Sequence, residues 1–294
     1  MADTYRELTL VNGNGDKWSL NDKSLKIIAT NLQGLGASRQ LTTLRLGDEQ
    51  QIVSSQYEFT NIGYDVYFYN DLITAYQQYN TFIRFLSYKP LYQEYVVPFS
   101  KSTFRRRVEI ISIGKTEYQH NYNALVCPVA LVPLTFWEDG KSTIIETGNT
   151  VDIGKMYPLE RPYVYGTQSL ANIEINTSGL LETPFELTIN GTVTDPTYYI
   201  YDKDNVLYGA GKFIGTFDKV YVNSEEINQQ IVLERNGIIL DDPYNYQDNT
   251  VGQLNQTKIT FLKFKAGKSK MAIIVDQGFT GTTKIEYRNR YVSV

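Results

Sequence analysis

Between Asn70 and Tyr88 the chain reads NDLITAYQQYNTFIRFLSY, and Leu72, Tyr76, Tyr79, Ile83 and Leu86 recur at spacings of three and four. That period lays an apolar stripe along an α-helix. Asn70 or Asp71 can cap its first turn, and Pro90 forbids its extension. No other long stretch has this period; on both sides the chain alternates apolar and polar residues between turn signals. A solitary amphipathic helix must rest its stripe on something apolar. Its sequence neighbours are strands, so it is expected to cover a sheet, each side chain of the stripe contributing about 1.5–3 kcal/mol on burial.

Ahead of the helix, YRELTLVNGNGDKWSL sets two alternating runs around Asn-Gly-Asn-Gly, residues that accept positive φ, and predicts a β-hairpin. IVSSQYEFTNIGYDVYFYN alternates too, but its phase slips at Asn61-Ile62-Gly63, which predicts a β-bulge there. After the helix, YQEYVVPF, FRRRVEIISIGKTEYQ and NALVCPVALVPLTFW read as three further strands.

At EDGKSTIIETGN charged and small residues replace the apolar run, which places a domain boundary near residue 140. Two domains are expected, 1–140 and 141–294, since one core rarely serves about 300 residues. In the second, VYGTQSLANIEIN, PFELTINGTV, TYYIYDKDNVLYGAG, NQQIVLERNGIIL, KITFLKFKAGKSKMAIIV and TKIEYRNRYVSV are strand runs at the cadence of an antiparallel sandwich. Alternation in the last run puts Ile285, Tyr287 and Tyr291 on a buried face, and Lys284, Glu286, Arg288 and Arg290 on a wet one.

Composition narrows the function. The chain has 24 tyrosines, a residue suited to half-buried strands and the rims of contacts, and a net charge of -4. That charge argues against direct nucleic-acid binding, which needs a concentrated basic patch. The opening MADTYRELTLVNGNG has no apolar signal core, so synthesis in a cytoplasm is expected. ALVCPVALVPLTFW is too short and too broken by Pro128 and Pro133 for membrane insertion, and its Cys127 reads as a buried core residue.

Little suggests catalysis. The lone histidine, His120, lies in a turn sequence without partners for a metal site or a triad. In DKDNVLYG, Leu207 stands where a calcium loop needs glycine, so Asp202, Asp204 and Asn205 read as a hairpin turn. The glycines of GLGASR (Gly34, Gly36) and GAGKFIG (Gly209, Gly211, Gly215) miss the dinucleotide spacing and read as turns. Glu225 with Glu226, and Asp241 with Asp242, are adjacent and so point apart, unlike glycosidase carboxylates. No enzyme, metal or cofactor is expected.

The sharpest polar feature is RRR at 105–107. Strand alternation groups Arg105 and Arg107 with Glu109 and leaves Arg106 between Phe104 and Val108. One reading is a solvated strand end with Glu109 as partner; the other is a set of arginines reaching a neighbouring subunit.

Taken in order, GDKWSL, LQGLGASR, the helix, FRRRVEIISIGKTEYQ and LVPLTFWED, followed by IEINTSGLLETPFELTINGTVTDP, VYVNSEEINQQIVLERNG and the ending IEYRNRYVSV, resemble the distal tail proteins of siphophages, the tail-component family that forms the baseplate hub. The resemblance implies a mainly β chain: an N-terminal β-sandwich or split-barrel belt domain with one α-helix, then a galectin-like antiparallel β-sandwich. It also implies a structural virion protein forming a homo-oligomeric ring, typically hexameric. Its partners would be the tail tube protein and tail-associated, fibre or receptor-binding proteins. Asp195-Pro196 stands where the family pattern has Asn-Pro, which keeps the turn. A different class of function is a carbohydrate-binding module recognising host wall polysaccharide through the tyrosine-rich C-terminal sandwich.

Overall fold

The computed structural model describes residues 7–46, 48–97, 100–150, 168–248, 261–275 and 279–293. The first four residues of the VYGTQS run, the KIT of KITFLK and the outermost residues of both chain ends lie outside these. The chain divides into two units: residues 1–141 together with 290–294, and residues 142–289. It therefore passes between units twice.

In the first unit the opening hairpin forms as expected, β1 (Glu7–Val11) pairing antiparallel with β2 (Lys17–Ser19). The Asn12 side-chain oxygen accepts from the amides of Asn14 and Asp16, both at 3.0 Å, and fixes the turn. A Cβ on Gly13 would lie 1.9 Å from the Lys89 carbonyl oxygen, so glycine lets this turn tuck against the chain leaving the helix. Next come β3 (Asn21–Asp22), β4 (Ile27–Gln33), β5 (Ala37–Leu46), β6 (Glu49–Phe59), β7 (Ile62–Phe68), the helix α1 (Leu72–Leu86), β8 (Leu91–Val96), β9 (Thr103–Ile113), β10 (Leu125–Pro133) and β11 (Trp137–Asp139). The main sheet runs β2-β1-β8-β9-β10-β7-β4-β3, and β11 joins β9. Leu20, between β2 and β3, donates to Leu8 and accepts from Ala29, so the two ends of the sheet meet at one bent strand.

Asp71 caps α1 by accepting from the amides of Ile73 and Thr74. A hydrogen bond from the Thr74 side chain, and after it those amides, hold its carboxyl below the ordinary aspartate range. The helix covers the sheet, but through a face turned from the expected stripe: Ala75, Phe82, Phe85 and Leu86 are buried, Tyr76 and Tyr79 partly so, and Leu72 and Ile73 are exposed. Trp18 and Phe68, with rings 5.3 and 6.0 Å from that of Phe82, select this face. Cys127 is buried in the same core, where burial pushes its thiol up to about 12.

The phase slip at 61–63 has a different cause from the one expected. It is a strand break: β6 ends at Phe59, β7 begins at Ile62, and the two belong to different sheets. The bulge lies across the ladder in β4, where three steps from Thr30 to Gln33 face two from Asp65 to Gly63. Asn31, at φ 54°, takes up the extra residue.

The second unit is a two-sheet sandwich built of β12 (Thr143–Thr150), β13 (Gln168–Thr177), β14 (Thr183–Thr194), β15 (Thr197–Asp202), β16 (Leu207–Lys212), β17 (Thr216–Asn223), β18 (Gln230–Arg235), β19 (Ile238–Ile239), β20 (Lys263–Phe264), β21 (Gly267–Val275) and β22 (Thr280–Tyr287). One sheet runs β12-β22-β14-β17-β18-β19 with β20 beside β14, and the other runs β13-β21-β15-β16. Phe185, Leu187 and Ile189 alternate inward from the first; Ile173, Ile175, Ile200, Met271 and Ile273 meet them from the second. The Asp202–Asn205 segment is the expected hairpin turn, with Asp202 accepting from the amides of Asp204 and Val206. Gly209 and Gly211 are a correction, for both lie inside β16 and not in a turn. A Cβ on Gly211 would sit 2.4 Å from the Tyr198 ring, so the glycine makes room for a buried tyrosine.

The end of the chain corrects the sequence reading again. Ile285 and Tyr287 are buried as expected, but β22 stops at Tyr287 and a separate strand, Arg290–Tyr291, pairs with β11 in the first unit. Arg290 is thereby 3% exposed, its Nε 3.2 Å from Glu138 Oε1. The change of partner strand resets the alternation and takes Arg290 off the wet face.

Candidate assembly surfaces

The first unit carries an element that its own core does not use. Among the described residues, strands β5 and β6 pair only with each other, in a two-stranded antiparallel ribbon separate from the main sheet. Of the residues whose side chains are described, all from Ser38 to Phe59 are exposed. The register pairs Ala37 with Phe59, Arg39 with Tyr57, Leu41 with Ser55, Thr43 with Ile52 and Arg45 with Gln50, and strand alternation puts these on one face. Leu41, Ile52, Tyr57 and Phe59 belong to that face, Leu44 to the other, and Val53 sits at the shift of register beside Ile52. Ile52 is 57% and Val53 63% exposed. A lone two-stranded hairpin is marginal in water, and a ribbon with one apolar, arginine-flanked face is built to be covered.

The root of the ribbon, in contrast, is clamped. Gly34 has φ 79°, and a Cβ there would lie 2.1 Å from the Asn61 carbonyl oxygen, so the two chains of the root pass at backbone distance. Arg106 Nη2 donates to the Gly34 carbonyl at 2.9 Å, and Trp137 Nε1 donates to that of Leu35 at 2.8 Å. The Arg106 guanidinium lies 4.0 Å from the Trp137 ring centroid and its Nε donates to Gln93 Oε1. Burial lowers its pKa to about 9, which leaves it charged at neutral pH. Phe59 packs edge-on against Phe136, with centroids 4.7 Å apart. A rigid base thus launches an uncovered arm; each strand of ten or so residues spans about 30 Å.

Arg105, Arg107 and Glu109 are all half-buried on β9, and alternation puts them on the face opposite the buried Arg106 and Val108. The Arg105 guanidinium stacks over Tyr92 at 5.1 Å. Glu109 is held by Lys89, whose hydrogen bond keeps its carboxyl below the ordinary range, with a smaller contribution from Arg107. The partner of Glu109 is therefore a lysine from the turn after the helix and neither arginine. His120 is exposed in a turn, its ring 5.0 Å from that of Tyr118. Glu226 pairs with Lys263, and Asp242 caps a short turn. Among the described residues no group of His, Cys, Asp and Glu could hold a metal ion, and no helix is long and apolar enough to cross a membrane.

Residues 7–134, which contain the clamp's glycine and arginine, the whole ribbon and the helix, match the family described as the distal tail protein, N-terminal domain. The first unit is a distal tail protein domain. Over the whole chain the fold is similar to a chain of the phage P2 baseplate in its activated conformation with calcium. The TM-score is 0.60 at 11% identity, covering 99% of this chain and 100% of that one. It is similar also to the Dit protein of phage SPP1, described as a paradigm of the hub adsorption apparatus in phages infecting Gram-positive bacteria; here the TM-score is 0.59 at 10% identity, covering 96% and 98%. At such identities the likeness is one of fold. No curated protein sequence matches the chain.

Sequence reasoning found the arginines of the distal tail domain but missed the ribbon. Its signal was present, since ASRQLTTLRLGDEQQIV carries two alternating runs around Gly47-Asp48. What no pattern of this kind reveals is that the hairpin stands apart from the sheet.

Proposed function

We propose that this chain is a structural hub protein of a phage tail tip, located in the virion, that assembles through its first unit into a closed ring, typically of six copies. In this reading the ring joins the tail tube protein to tail-associated and receptor-binding proteins and catalyses no reaction. It engages neither nucleic acid nor membrane directly. The observation that carries it is the ribbon of the distal tail domain, whose apolar face, beyond the contact of Phe59 with Phe136 at its root, is left exposed among the described residues. Repetition of one heterologous contact, with a hydrophobic patch on one side and arginines at its rim, closes a ring when the rotation between subunits is right. Arg105, Arg107 and Glu109 supply a further polar patch at the subunit boundary. The second unit is in this reading a galectin-like sandwich.

Sedimentation and native mass measurement of the purified chain test the proposal. The expected particle has a mass close to six times the 33.7 kDa of one chain. A strict monomer at every concentration, alone and with the tube protein, overturns it.

A second reading, polysaccharide binding, is favoured by one feature of the second unit. Tyr199 and Tyr201 lie on the outer face of β15 with ring centroids 6.4 Å apart. Close by, Glu174, Asn176, Lys268 and Lys270 border a groove of about 350 Å³. Aromatic faces beside polar groups suit sugar rings. Titration of host wall polysaccharide should then show binding that is lost in Tyr201→Ala, and no binding by the parent chain removes this reading.

A further inference from the structure

The groove of the second unit has a charge pattern that the polysaccharide reading leaves unexplained. Alternation along β21 turns Ser269 and Met271 inward and leaves Lys268 and Lys270 on the outer face, two residues apart on one strand. In the register Lys268 stands opposite Asn176 of β13, and Lys270 lies between Glu174 of β13 and Tyr201 of β15. The turn after β15 adds a third cation. Asp202 accepts from two amides of that turn and Asn205 takes φ 58°, and the turn so formed carries Lys203 to the rim of the same groove.

Other lysines of the unit are matched by acids. Lys212 pairs with Asp248, Lys263 with Glu226, Lys265 with Asp202 and Lys284 with Glu286. Among the described residues, Lys203, Lys268 and Lys270 form no ion pair, and all three line this groove. Asp202 lines it too, but its carboxylate is committed to the turn amides and to Lys265 at 3.7 Å. Like charges side by side on a strand repel, so in a chain of net charge -4 this local excess of cations marks a place where an anion is held.

The neighbours of the lysines select the kind of anion. Glu174 borders the same groove. A carboxylate there repels a dense row of phosphates and can only accept hydrogen bonds, so the ligand must bring hydroxyl groups as well as charge. Asn176 and Asn205 can donate to such hydroxyls or accept from them. Tyr201, next to Lys270, leads on to Tyr199, which stands between Ala272 and Ala210, side chains too short to cover its ring. Flat rings with polar tips beside cations suit sugar units that carry acidic groups.

We infer that this groove holds an anionic glycan, a polymer of sugar or polyol units bearing phosphate or carboxylate groups. Lys203, Lys268 and Lys270 bind its charges, Glu174 accepts from its hydroxyls and Tyr201 packs against a ring. The inference rests on the polysaccharide reading, narrows it to a charged polymer and is independent of the ring.

Titration calorimetry of the full chain at low salt tests it with a glucosylated glycerol phosphate polymer, polygalacturonate, dextran and oligothymidylate. One or both acidic glycans should bind about tenfold tighter than dextran or oligothymidylate, and more weakly as salt is raised; which of the two binds identifies the acidic group. Lys268→Gln with Lys270→Gln should weaken that binding by about tenfold, whereas Lys219→Gln, which removes a charge from β17 in the other sheet, should leave it unchanged. Thermal unfolding of these variants should match that of the parent; Lys203→Gln, in an exposed turn, gives the same test of the groove should the strand variant melt early. Dextran bound as tightly as the acidic glycans, with the lysines dispensable, overturns the inference and leaves the polysaccharide reading standing. Oligothymidylate bound as tightly, or an equal loss in Lys219→Gln, reduces the site to general charge attraction and also overturns it. No binding of any glycan removes both.

Discussion

Arg290→Met should lower the stability of the first unit by about 3–5 kcal/mol, a loss large enough to unfold a marginal domain at moderate temperature. Arg290 and Glu138 are both almost fully withdrawn from water, with side-chain exposures of 4% and 9%, and their Nε and Oε1 atoms are 3.2 Å apart. Removing the guanidinium takes away the buried cation that faces the Glu138 carboxylate and puts an apolar side chain beside it, so part of the offset to its desolvation is lost. The double change Glu138→Leu with Arg290→Met should cost much less than the single one, because an apolar pair needs no such offset. The measurement can isolate the unit concerned: both tryptophans, Trp18 and Trp137, belong to the first unit, so their fluorescence in a urea titration follows that unit alone. If the single change shifts the second unit and spares the tryptophan signal, the last strand does not complete the first unit. The pair also shows that the first unit is not contiguous in sequence. A chain stopped near residue 140 would keep Glu138 and lack Arg290.

Phe82→Ala should cost about 3–5 kcal/mol in the same titration, and Leu72→Ala or Ile73→Ala within about 0.5 kcal/mol. Phe82 is fully buried between the helix and the sheet, against Trp18 and Phe68, so truncation leaves a cavity lined by aromatic rings that cannot collapse into it. Leu72 and Ile73, in the first turn, face solvent. Equal losses at Leu72 and Phe82 would mean that the helix lies on the stripe suggested by spacing alone. Loss of the helix contact would also disturb the core holding Leu8 and Leu10, and with it the pairing of β1 with β8 next to the arginine strand β9.

These two cases mark where sequence reading stops. The helix and a cap at Asn70 or Asp71 were legible because a 3.6-residue period and a capping side chain act within one turn of chain, and the structure selects Asp71. Its orientation was not. Leu72, Ile73, Ala75, Tyr76, Tyr79, Phe82, Ile83, Phe85 and Leu86 offer two overlapping stripes, and the rings of Trp18 and Phe68, brought in from distant strands, choose between them. The candidate surfaces divide in the same way. The outward grouping of Arg105, Arg107 and Glu109 followed from alternation, whereas the salt bridge of Glu109 to Lys89 depends on the turn that follows the helix.

By itself the sequence determined that the chain is mainly β with an amphipathic helix at 70–88, that its first hairpin turns at Asn12–Gly15, that Cys127 is buried, and that the second half alternates as a sandwich does. Each of these depends on the period and turn chemistry of a short segment. Only the tertiary structure decided that β5 and β6 stand away from the sheet, that Gly211 makes room for Tyr198, and that Arg290 is drawn into the first unit. In each of these the outcome depends on which strand lies alongside, and pairing between residues far apart in the chain is a property of the assembled sheet that no local pattern encodes.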